Sequence, residues 1–238
     1  MPYFTTQCIV LHRTDYREAD RILTLFSPDR GRLDAICRGC RKPKSPLLTA
    51  AELFTLGDYV LFTGKGRQAV HSCSIIETFY PLRLDYARLS HAAVLAGACL
   101  KVIQPEDPMG HLFILLARSL RRLAFEEVCP EAVTAAFLLH FVSLQGFQPD
   151  LNHCARCGKV LGDEGACLIA PEDGACCLGC SEGASKRTWL TSAQLSWMRA
   201  VLTRGIGKAG PPPGSIPLEA LLDYTEYKLE TRLPTLPA

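Results

Sequence analysis

Two cysteine pairs of identical spacing, Cys154-Ala-Arg-Cys157 and Cys177-Leu-Gly-Cys180, constrain this 238-residue chain more than any other feature. A gap of two residues lets both thiolates of a pair turn onto one ion. Gly158 and Gly179 sit where such a turn needs backbone freedom. Nineteen residues separate the pairs, so together they supply four soft ligands for one tetrahedral site, the donor set that suits zinc. Four protein thiolates leave no position open to water, so the expected role is structural, with one zinc per chain. Cys176 is an alternative to Cys177, but only Cys177 keeps the two-residue gap to Cys180. Cys167 and His153 stand in reserve. Cys37-Arg-Gly-Cys40 has the same spacing with no partner pair nearby and reads as ordinary small apolar residues, with a redox or second metal role as the alternative.

The twelve cysteines also bear on compartment. The start, Met1-Pro2-Tyr3-Phe4-Thr5-Thr6-Gln7, shows no basic and apolar secretory signal. The apolar stretch Ala92–Leu100 ends at Lys101, far short of the roughly 20 residues that span a bilayer. The expectation is a cytoplasmic protein with no membrane contact, whose thiols stay reduced and serve metal binding or burial. A net charge of +2 with 21% charged and 48% apolar residues is ordinary for a globular chain, so any electrostatic signal must lie in the distribution of charge.

Three patterns succeed one another. Thr5–His12, Arg21–Phe26, Arg32–Arg38, Asp58–Thr63 and Gln68–Ile76 read as five short strands, broken by Ser27-Pro28-Asp29-Arg30-Gly31 and by Gly64-Lys65-Gly66. Five strands within the first 80 residues predict a small barrel of the oligonucleotide-binding (OB) type. From Leu82 to about Gly146, apolar residues recur at helical spacing. Leu112, Leu115, Leu116, Leu120 and Leu123 form a stripe facing away from Arg118, Arg121 and Arg122, and Pro105, Pro108 and Cys129-Pro130 divide the helices. Two further helices are expected around Gln194–Thr203 and Leu218–Arg232, separated by a stiff Gly210–Gly214 linker. The predicted fold class is α+β: a five-stranded OB-type β-barrel over 1–80, then an α-helical domain over 81–238 with the four-cysteine zinc knuckle inserted at 154–180.

Six basic residues (Arg30, Arg32, Arg38, Arg41, Lys42, Lys44) face one acid, Asp34, between positions 30 and 44. On an OB barrel such a run suits a mobile loop lying along a phosphate backbone, and Lys65 and Arg67 extend it at the second hairpin. The candidate stacking rings are Tyr3, Phe4, Tyr16, Phe54, Tyr59 and Phe62, most of them expected in the core. No Walker loop, His-x-Glu deaminase signature, Gly-x-Ser-x-Gly elbow or His-Glu-x-x-His motif is present, so no enzyme and no small-molecule substrate is expected. A protein-interaction module with a solvated basic loop, and a nucleic-acid enzyme of unfamiliar site, are the alternatives.

Arg17-Glu-Ala-Asp-Arg-Ile-Leu-Thr-Leu-Phe-Ser27, Gly31-Arg32-Leu33, Arg38-Gly39 with Lys44-Ser45, and Gly146-Phe-Gln-Pro-Asp-Leu151 leading into Cys154-Ala-Arg-Cys157-Gly158 together resemble the bacterial RecO family of recombination mediators. The resemblance runs nearly end to end. It implies an OB barrel, a helical domain and, in many members, a four-cysteine zinc knuckle. It implies binding of single- and double-stranded DNA, annealing of complementary strands, and work with RecR in the RecFOR route to load RecA onto strands coated by single-strand-binding protein. The acidic, apolar tail of that protein docks on the helical domain in such proteins, where Arg118, Arg121, Arg122 or Arg199 offers a cationic receptor. Arg17 departs from the family pattern, which often has Gly before the Glu, and implies a stiffer hairpin turn.

Overall fold

The structure, a computed structural model, describes residues 3–64, 68–208 and 214–236; the 210–214 linker, apart from Gly214, and the turn at 65–67 lie outside them. The first five strands are β1 (Tyr3–Tyr16), β2 (Asp20–Ser27), β3 (Gly31–Cys37), β4 (Leu56–Thr63) and β5 (Gln68–Glu77). They close into a barrel in the order β1-β2-β3-β5-β4, antiparallel except where Ala35 and Ile36 of β3 run parallel to Gln68 and Ala69 of β5. That order with one parallel closure is the OB arrangement the strand pattern predicted.

Closure depends on β1, which is much longer than expected. Its first half pairs with β4 and its second with β2, and a register shift between Val10 and His12 bends it from one neighbour to the other. Inward alternation fills the barrel with Cys8, Val10, Leu23, Leu25, Leu33, Ala35, Tyr59 and Leu61, all buried. Each large aliphatic side chain among them contributes about 1.5–3 kcal/mol by leaving water. Ala50 and Ala51, in a 3-10 turn at Thr49–Ala51, plug one end, and the Tyr59 hydroxyl donates to the Ala50 carbonyl at 2.7 Å.

Packing divides the chain into two compact units, 1–89 with 96–124 and 90–95 with 125–238. In the first, the segment after α1 (Tyr86–Val102) straps the β2–β3 turn: Arg32 N–H donates to Gln104, Glu106 N–H to Arg30, and Met109 N–H to Pro28. Gly31 lies beneath that strap at φ +62°, and a Cβ there would come within 2.1 Å of the Gln104 carbonyl, so only glycine fits. Helix α2 (Gly110–Phe125) follows, with its leucine stripe buried and Phe113 edge-on to Phe26 of β2 at 5.5 Å.

The second unit is built on α3 (Pro130–Leu144), buried from Val133 through Leu139 and again at Phe141 and Val142. It packs against α5 (Ser192–Arg204) and α6 (Leu218–Lys228), while α4 (Leu178–Ser181) is a single turn. Thr191 and Gln194 form the reciprocal capping box that starts α5. Helix α6 ends at Lys228, short of the expected Arg232, because Glu230 takes φ +49° and Glu226 accepts the Leu233 N–H. A three-stranded sheet, β7-β6-β8, was not expected: β6 (Ala166–Ile169), β7 (Ala175–Cys176) and β8 (Arg187–Leu190) are too short to show a period. Among the described residues no helix is long and apolar enough to cross a membrane.

Candidate metal centre and nucleic-acid interface

Backbone hydrogen bonds shape both cysteine turns before any ion is considered. Gly158, at φ +73°, donates its N–H to the Cys154 carbonyl, and Cys154 N–H donates to Lys159. Cys177 stands at the N-cap of α4, its carbonyl accepting from Cys180 and Ser181 N–H. Gly179 lies within that helical turn and has no positive φ, so its expected freedom goes unused. Arg156 ties the halves together, donating to the Cys180 carbonyl at 2.7 Å and to Glu172 at 2.8 Å. Gly174 lets the chain pass against Asp150, whose carbonyl would stand 2.3 Å from a Cβ there. The Asp150 carboxylate holds the entry to the first turn by accepting from Asn152 and His153 N–H.

The four sulfurs of Cys154, Cys157, Cys177 and Cys180 lie within 4.8 Å of one another, with Cys157 and Cys177 at 3.8 Å. Zn–S bonds of about 2.3 Å set tetrahedral S···S edges of about 3.8 Å, so the group fits a metal of that size with little rearrangement. Burial raises the Cys154 thiol, but the N–H groups of Cys157, Cys177 and Arg156 outweigh it and draw the pKa well below the ordinary thiol value. Cys180 moves the other way, pushed up by hydrogen bonds to the Cys177 and Cys157 sulfurs. Four crowded sulfurs of this kind can hold a metal ion, whose charge offsets their mutual repulsion.

The neighbouring donors fall outside the group. Cys176 is buried in β7, opposite Cys167 of β6, and His153 turns its ring to the Asp150 carboxylate. Arg199 donates to the carbonyls of Leu151 and Leu161 at 2.7–2.9 Å, which clamps the first turn onto α5. That corrects its reading as an open receptor for an acidic tail.

The basic segment divides in two, because β3 intervenes and spans roughly 20 Å. At its start, Arg30 lies 4.5 Å over the Phe4 ring and 3.7 Å from Glu106, and Arg32 pairs with Asp34. Beyond its end, Arg38, Lys42 and Lys44 are exposed and have no ion pair among the described residues. Arg41 pairs at 3.3 Å with the exposed Asp15, a solvent-screened contact that a phosphate can displace. The segment is a chain of tight turns and not the mobile loop expected. Gly39 N–H donates to Asp20, Lys42 N–H to Gly39, Ser45 N–H to Lys42, and Arg41 N–H to Ala19 of the β1–β2 turn.

That last bond brings in Arg17, which the sequence reading did not count as a contact. It is exposed, lies 5.1 Å over the Tyr16 ring, and holds φ +56°, the left-handed geometry the family's glycine would adopt freely. An arginine in a hairpin turn against a basic loop was the available signal. Lys65 and Arg67 lie outside the described residues. Tyr59 and Phe54 are buried, Phe4 and Tyr16 underlie arginines, and Tyr3 stands 49% exposed against Phe62. Residues 1–80 carry eleven basic and eight acidic side chains, net +3, and residues 81–238 carry fifteen and sixteen, net −1.

Barrel, basic turn and thiol cluster define an OB-barrel protein with a four-cysteine group able to hold a metal ion. Residues 1–79 match the family described as recombination protein O N terminal, and residues 83–237 that described as recombination protein O C terminal. The chain belongs to the recombination protein O family. It is 35% identical over 163 residues to the DNA repair protein RecO of Acetivibrio thermocellus, an alignment covering 68% of this chain and 65% of that one, just under two thirds of the relative. With RecO of Moorella thermoacetica the identity is 33% over 205 residues (82% and 76%), and with RecO of Anaeromyxobacter sp. strain K it is 32% over 232 residues (94% and 91%).

Proposed function

We propose that this chain acts in DNA repair as a non-enzymatic recombination mediator that binds DNA through its barrel and anneals complementary strands. In this reading it works with RecR to load RecA onto strands coated by single-strand-binding protein, in the cytoplasm at the nucleoid. The observation that carries it is the cluster of five cations, Arg17, Arg38, Arg41, Lys42 and Lys44, gathered by the hydrogen bonds between the 38–45 turns and the β1–β2 turn. Annealing needs no catalytic residue: neutralising phosphates and concentrating strands is sufficient to speed pairing. On α2, exposed Arg118 and Arg121 flank the same helix face as the 48% exposed Ile114, which suits an acidic, apolar tail. The metal held by the four-cysteine clip is zinc, structural, one per chain.

Five engaged phosphates give a log–log salt slope for single-stranded DNA near about −3.5. Changing Arg38, Arg41, Lys42 and Lys44 together to Ala leaves Arg17 and should bring the slope to about −0.7, with weaker binding to every sequence. A wild-type affinity independent of salt would sink this reading. A second reading, a barrel that binds protein and not DNA, is favoured by the exposed run Ile75, Ile76, Tyr80, Leu84 and Tyr86. Filter binding of labelled single strands separates the two.

A further inference from the structure

On the outer face of the barrel, across β1, β4 and β5, Tyr3, Phe62 and His71 form a cluster of rings. Tyr3 and Phe62 are cross-strand partners on β1 and β4 with centroids 5.1 Å apart, and Tyr3 meets the His71 ring edge-on at 5.2 Å. A bulge places the third ring. Val60 pairs with Ser72 and Leu61 with Val70, so His71 is the extra residue of β5, where a bulge re-aims a side chain. Tyr3 and His71 are exposed and Phe62 half-buried. The adjoining row across the same strands, Thr5, Val60 and Ser72, has no charge.

We propose that this cluster is a stacking subsite for an unpaired nucleobase of single-stranded DNA, resting on the reading of the barrel as a DNA binder. A patch this small and ring-rich suits the face of one base, whereas a protein partner is better matched by the longer aliphatic run at 75–86. With no acid in either row, nothing there repels a phosphate, and the surrounding barrel carries the chain's positive excess. A duplex hides its base faces, so the subsite distinguishes single strands from double ones, which phosphate neutralisation alone does not.

The test compares oligo(dT) with an abasic strand of equal length and charge, using the full chain and fluorescence anisotropy. The unaltered protein should bind oligo(dT) roughly tenfold more tightly than the abasic strand. Tyr3→Leu should remove that preference without changing abasic affinity or salt slope, and Tyr3→Phe should retain it. The four-alanine turn variant should weaken both strands alike. Equal binding of the two strands by the unaltered protein overturns the subsite and leaves the DNA-binding reading standing. So does a Tyr3→Leu variant that keeps the preference. Failure to bind either strand overturns both. Should Tyr3→Leu fail to fold, the two-strand comparison on the unaltered chain and on Tyr3→Phe still decides.

Discussion

Cys37-Arg-Gly-Cys40 and Cys154-Ala-Arg-Cys157 share a spacing and do opposite things. Both sulfurs of the first pair are buried in the barrel core, where burial pushes the Cys37 and Cys40 thiols up and keeps them protonated. In the second pair, backbone N–H groups pull Cys154 down, and a second turn brings two more sulfurs within reach. Each pair nonetheless anchors a loop. Cys40 is wholly buried between the exposed Arg38 and Arg41, so one apolar side chain pins the turns that display the cations. The spacing sets only a tight turn; its surroundings decide whether the anchor is a core or a metal.

The strongest way to break the comparison is Cys177→Ser. It should abolish metal retention and cost on the order of several kcal/mol of stability, since a structural site's binding energy is folding energy. Metal content per chain and thermal unfolding read both. If the variant stayed folded and lost only DNA affinity, the clip would have to be a contact surface. The same site carries a pH prediction. Cys154 has a depressed pKa, about 6 against an ordinary 9.0, so its stabilisation is complete above the ordinary value and is lost as pH falls through about 6. Metal affinity should therefore begin to fall as pH drops through that range, where protons compete with the ion for this thiolate, as read by titration against a chelator.

Cys40→Ser should cost about 1–3 kcal/mol by burying an unpaired hydroxyl, leave metal content unchanged, and weaken DNA binding. Denaturant midpoint and metal analysis separate it from the clip variant. The smallest effect is at Arg17. Arg17→Gly relieves about 1 kcal/mol of left-handed backbone cost, partly offset by glycine's entropy, while removing one phosphate contact. The salt slope should flatten by about 0.7 as melting temperature holds or rises slightly. A slope that did not move would detach Arg17 from the interface.

Legibility in the sequence followed the range of the forces involved. The barrel strands were readable where glycine and proline mark their turns and alternation is local; the Arg17-Glu18-Ala19 turn carries neither residue, and there β1 ran well past its expected end. The four-sulfur group was readable because two-residue gaps confine the thiols whatever surrounds them. The sheet at 166–190 was not, since strands of two to four residues are fixed by tertiary contacts alone. Nor was the split of the basic segment: Arg30 and Arg38 are near in sequence, but the strand between them carries them to opposite ends of a barrel. Arg199 looked free because nothing local shows two carbonyls brought to it from residues 151 and 161.

Those two carbonyls flank the first cysteine turn, and the guanidinium that holds them belongs to the helix beginning at the Thr191 cap. Binding of an ion by the four sulfurs and the seating of that helix would therefore be linked equilibria, and linkage is reciprocal: whatever factor an ion adds to helix docking, docking adds to ion affinity. The metal affinity measured in competition with a chelator thus becomes a gauge of order in a helix that touches no ligand.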